Sequence, residues 1–167
     1  MTTMNLSKSL LFYFLVITLT TSYSQENDKP NVLFISIDDL KPTIGSFGDE
    51  FAMTPNIDKL SETSTVFLNN HTQLAICAAS RVSFLTGLRP DKTKVWDLKT
   101  KMRDVNPEVL TLPEHFKNNG YQTIGVGKIY DPRAVDSGRD RRSWSVPFIT
   151  QNQLTFSDGY SFPSGGF

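Results

Sequence analysis

The sequence has one cysteine, Cys77, and so no means of closing a disulfide within the chain. Its stability has to come from an apolar core, a bound metal or further polypeptide. Histidine is scarce as well: His71 and His115 are the two present. Neither has a second imidazole or a cysteine at the spacing of a metal site, so both read as surface or structural residues. A charge excess is missing too, with 17 Lys and Arg against 17 Asp and Glu. Setting residues 1–24 aside removes Lys8 and no acid, which leaves 16 against 17. Such a balance carries no electrostatic footprint for nucleic acid, and the basic run from Arg139 to Arg142 reads as a solvated loop.

Also absent from the N-terminal region is an apolar run of membrane-spanning length. The run there, Leu10 to Leu19, falls well short of the ~20 residues a spanning helix needs. It follows Lys8 and precedes the small residues "TSYS", the pattern of a cleavable export signal. The reading is therefore a signal peptide over 1–24, a short linker over 25–30 and a folded portion over 31–167. An exported protein, periplasmic or extracellular, with no stable transmembrane domain after signal removal follows. The closing stretch "DGYSFPSGGF" lacks the apolar periodicity of a final helix or strand, which makes a fragment the expectation.

What is there begins with "NVLFISIDDL" from Asn31, an almost continuous apolar run rich in β-branched residues. It suits a strand buried on both faces of a helix-covered parallel sheet, with Asp38 and Asp39 at its carboxyl end. Ligands bind at that end of strands in α/β sheets, although two acids opening a loop are the commoner case. "TPNIDKLSETS" predicts a short helix capped by Asn56, with Ile57 and Leu60 on its inner side. "VFLNNHTQ" reads as a short strand or an extended turn.

"CAASRVSFLTG" predicts a helix that starts at Cys77, turns Val82, Leu85 and Phe84 toward a core, and ends at Gly87. Its free amides and Arg81, one turn on, favour an anion near the thiol. "TLPEHFKNNGY" has Thr111 and Glu114 at capping-box spacing, Pro113 in the first turn and Gly120 to close the helix. "YQTIGV" reads as a second buried strand that carries Lys128 to its end. Beyond Ile129 the pattern weakens into a long loop anchored by Trp144 and Phe148.

In "NVLFISIDDLKPTIGSFGD", "TPNIDKL", "CAASRVSFLTGLRPD" and "NNGYQTIGVGK" the chain resembles the sulfatase family of the alkaline-phosphatase-like superfamily, nearest in appearance to its iduronate-2-sulfatase-type branch. The resemblance runs from about Asn31 to Tyr130. It implies an α/β fold, a sheet flanked by helices and incomplete in this fragment. It further implies that Cys77 is converted to formylglycine, whose hydrate is the nucleophile. Asp38, Asp39 and the modified Cys77 would bind calcium, an ion suited to hard carboxylate oxygens. Arg81 and Lys128 would face the sulfuryl oxygens, making Cys77, Arg81 and Lys128 the catalytic set.

The implied activity is a sulfuric ester hydrolase acting on a sulfated carbohydrate, with a uronate-containing sugar as one candidate, and a formylglycine-forming maturation enzyme as partner. Two alternatives stand beside it. One is a phosphodiester or phosphonate-ester hydrolase of the same superfamily; the other is an inactive, truncated secreted or carbohydrate-binding remnant. Three departures motivate the second. Ala79 stands where the maturation motif commonly has proline, Tyr130 and Asp131 occupy the region where the family has a histidine after the lysine, and the chain is short for the family.

Overall fold

A computed structural model describes residues 29–150 and 153–154. The expected signal peptide lies outside the described residues. Among the described residues, no helix is long and apolar enough to cross a membrane. The chain divides into two compact units, Met1–Ile35 and Ser36–Phe167. Of the first, residues 29–35 are described; they form neither helix nor strand, and all are exposed.

The second unit is helical and irregular. Among the described residues five helices follow one another: α1 Pro55–Ser61, α2 Cys77–Thr86, α3 Pro90–Thr93, α4 Met102–Val105 and α5 Leu112–Asn118. Tight 3-10 turns at Gly45–Phe47 and Arg141–Ser143 flank the series. Two of these helices form where local signals are complete. At α2 the apolar positions Val82 and Leu85 are buried, and Gly87 ends the helix with φ +69°, a left-handed conformation that glycine adopts without steric cost. At α5 the Thr111 hydroxyl accepts from the Glu114 amide at 3.3 Å, and Pro113 lies in the first turn.

Helix α1 departs from its expected detail. Thr54 precedes it as the cap residue, Asn56 lies inside it, and Ile57 and Leu60 are exposed. A helix of seven residues, about two turns, is too short to define an inner face. The cluster that is buried centres instead on Val82, Leu85, Val95, Met102 and Tyr130, with Trp144 and Phe148 brought in from the long loop. Those two anchors act as the sequence suggests. Trp144 meets Tyr130 edge-on at 6.2 Å and Phe148 at 5.5 Å between ring centroids.

The α/β expectation is corrected. Among the described residues there is no β-strand, and the expected sheet flanked by helices is not formed. Strand geometry is stable only where backbone N–H and C=O groups pair with a neighbouring strand. The segment Asn31–Leu40 has no such ladder, and its Leu33 is 84% exposed. The second expected strand is reduced to one isolated parallel bridge between Val126 and Ile149, supported by the Ile149 amide donating to the Gly125 carbonyl at 3.0 Å. This approach is close because residue 125 has no side chain. A Cβ there would lie 2.6 Å from the Phe148 ring and 2.8 Å from that of Trp144.

Candidate functional site

Asp38, Arg81 and Lys128 come together although they are far apart in sequence. Arg81 projects from the second turn of α2, is nearly fully buried, and donates from Nη2 to Asp38 Oδ1 at 2.9 Å. Its Nη1 donates to Ser36 Oγ at 2.8 Å and to the backbone carbonyls of Lys128 and Ile129. The Lys128 ammonium holds the other carboxylate oxygen of Asp38. Asp38 therefore sits between two cations. Burial alone pulls its carboxyl pKa upward, but the combined hydrogen bonds and charges of Lys128 and Arg81 win and hold it below the usual value.

Cys77 and Asp39 are placed differently. Asp39 is exposed with φ +50°, a left-handed conformation that aspartate tolerates better than most residues. Cys77 opens α2 half-buried, and its Sγ lies 3.7 Å from Arg133 Nη2. Arg133 is gripped in turn by the buried Asp131, through Nη2 at 2.8 Å and Nε at 2.9 Å. Arg133, with the Cys77 thiol also bonding to Asp131, drives the Asp131 carboxyl far below the normal carboxylate range despite its burial. Sequence reasoning passed over Arg133. The signal available was the pair Asp131 and Arg133 directly after the lysine, where the family's histidine was looked for.

The acid response of this corner has a definite sign. A carboxyl depressed in the folded state contributes stability that is complete above its ordinary value of 3.8 and is lost as pH falls toward the folded value. Asp38 is shifted the same way. Thermal unfolding followed from pH 7 downward should show a falling Tm below about pH 4. The variant Asp131→Asn should be less stable at pH 7 and show a flatter acid limb; an unchanged limb would mean that Asp131 is not among the groups responsible.

Residues 30–135 match the family model described as Sulfatase. The chain belongs to the sulfatase family. Among its relatives in that family, iduronate 2-sulfatase of Homo sapiens is 43% identical over 129 residues, covering 76% of this chain and 24% of the relative. Iduronate 2-sulfatase of Mus musculus is 42% identical over 146 residues, covering 85% and 26%. A sulfatase of Formosa agariphila is 37% identical over 119 residues, covering 67% and 24%. The chain thus spans about a quarter of the length of the curated relatives it matches.

Membership of the sulfatase family does not bring the expected machinery with it. Recognition by motif implied the family's sheet, and the described residues lack it. Calcium held by Asp38, Asp39 and Cys77 is likewise corrected: among the described residues no group of three or more His, Cys, Asp and Glu is placed to hold a metal ion. The physical reason is visible in the contacts. Asp38 is neutralised by Arg81 and Lys128, Asp39 is exposed and outside that cluster, and Cys77 keeps company with Arg133.

The remaining expectations resting on that scaffold fall with it. They are the sulfuric ester hydrolase using a formylglycine hydrate at Cys77, the pairing with a formylglycine-forming enzyme, and the sulfated carbohydrate as substrate. Arg81 and Asp38 tie the segment around Ser36 and the end of the 121–128 segment to α2.

Proposed function

We propose that this chain is a non-catalytic, exported member of the sulfatase family that retains the family's residues as a closed ion-pair cluster. The export reading comes from the signal pattern over residues 1–24, with the folded portion beginning near residue 31. The observation that carries the proposal is the state of Asp38. A carboxylate that accepts from both Arg81 and Lys128 has its charge spent within the protein, and the two cations offered to a sulfate are spent on the same group. Within this reading Cys77, Arg81, Lys128, Asp38 and Asp39 have positional and stabilising roles.

The test is direct. The chain, co-expressed with a formylglycine-forming enzyme and supplied with calcium, is assayed on an aryl sulfate and on an aryl phosphodiester beside its Cys77→Ala variant. The two proteins should release phenol at the same background rate on both esters. Calcium-dependent release that disappears in Cys77→Ala would overturn the proposal, and the preferred ester would say which hydrolase it is.

A further inference from the structure

The apolar segment that finds no ladder among the described residues has an unused edge. When a chain is extended, the N–H and C=O groups of alternate residues point to opposite sides. Asn31, Leu33, Ile35 and Ile37 supply one such edge, and among the described residues none of them makes a backbone hydrogen bond. Leu33, Ile35 and Ile37 are 84%, 71% and 51% exposed. The run from Asn31 to Ile37 carries no charge and is rich in β-branched and aromatic residues, the composition of a strand that pairs as soon as a partner supplies the ladder.

The charges that flank this run choose the partner. Lys29 lies before it and Asp39 after it, both exposed and equally distant from Phe34. A segment laid antiparallel on a copy of itself about Phe34 therefore sets each Lys29 opposite Asp39 of the other copy. The same register pairs Leu33 with Ile35 and Asn31 with Ile37, and it brings the two Phe34 side chains face to face as a closely spaced cross-strand pair. A slip of two residues loses this match: in one direction Lys29 meets Lys41, and in the other Ile37.

Pro30 decides which edge is used and where pairing stops. It belongs to the opposite edge, which it deprives of one N–H, so the complete set of donors lies on the side of Asn31, Leu33, Ile35 and Ile37. A proline on the outer edge also blunts further addition. We infer that residues 29–39 of two copies of this chain pair antiparallel, as a closed two-fold dimer. Asp38 stays with Arg81 and Lys128, so the pairing leaves the ion-pair cluster intact.

Sedimentation velocity over a concentration series tests the inference. The full chain should pass from monomer to dimer and no further. Lys29→Asp and Asp39→Lys each set like charges opposite one another at both ends of the pair, and each should weaken the dimer about tenfold. Mixed together, the two variants regain both opposite-charge pairs and should dimerise as tightly as the parent, now as a heterodimer. Circular dichroism of each variant alone should match the parent, since both positions are exposed. In the dimer the amides of Leu33, Ile35 and Ile37 should exchange slowly and that of Val32 freely.

A monomer at every concentration, a dimer indifferent to the charge reversals, a mixture no tighter than either variant, or growth into open assemblies would each overturn the inference. Slow exchange of the Leu33, Ile35 and Ile37 amides in a monomer would also overturn it, by placing another segment of the same chain on this edge.

Discussion

Replacing Arg103 by alanine is expected to cost about 3–5 kcal/mol of folding stability, a large share of what a domain of this size holds. Arg103 stands on α4 and donates to Asp140 through Nε at 2.8 Å and Nη2 at 3.0 Å, and to Glu114 through Nη2 at 2.9 Å. The two acids are almost inaccessible, with 1% and 9% of their side chains exposed. Burial works against the guanidinium's charge, yet Asp140 and Glu114 together raise its pKa above that of a free arginine. Deleting the cation strands Asp140 and takes from Glu114 one of its two partners, leaving it Arg142 at 3.0 Å.

Asp140 also accepts from Tyr130 and Ser143, so the loss spreads into the core. Urea unfolding followed by circular dichroism measures the effect. The double variant Arg103→Met with Asp140→Asn should recover a large part of it, because the buried charges leave together. A loss below about 1 kcal/mol for Arg103→Ala would mean that solvent reaches the acids and that the network contributes like a surface pair.

The second large effect is expected at Arg81. Its removal should cost about 3 kcal/mol, since the backbone carbonyls of Lys128 and Ile129 lose a charged donor in a buried setting and a cavity replaces the side chain. Asp38→Asn should cost less, about 1 kcal/mol, because the carboxylate is nearly a quarter exposed and the guanidinium keeps its carbonyl partners. The ordering is the informative result. If Asp38→Asn proves the more damaging substitution, the carboxylate organises this corner and the guanidinium merely accompanies it.

Local signals were legible and long-range ones were not. The helix from Cys77 to Thr86 is specified by an apolar spacing and a terminating glycine, the helix after Thr111 by its capping hydroxyl, each within a dozen residues, and both form. A strand is specified only jointly with its partner. The apolar run at Asn31–Leu40 therefore reads as a strand, yet among the described residues no ladder receives it. In the candidate site, spacing in the sequence did not show how the charged residues relate to one another. Asp38, Arg81 and Lys128 do gather, but as partners that satisfy one another. Arg103 and Asp140 lie 37 residues apart with no motif between them, so only the folded chain reveals their pairing.

The missing side chain at residue 125 binds two stretches of chain to a common fate. Backbone at 123–127 can lie against the rings of Trp144 and Phe148 only because nothing projects between them. The same contact supplies hydrogen bonds in both directions, Gly127 donating to Ile149 and Ser145 donating to Thr123. Neither stretch keeps its shape once the other departs, so the two open as one cooperative unit in any fluctuation short of global melting.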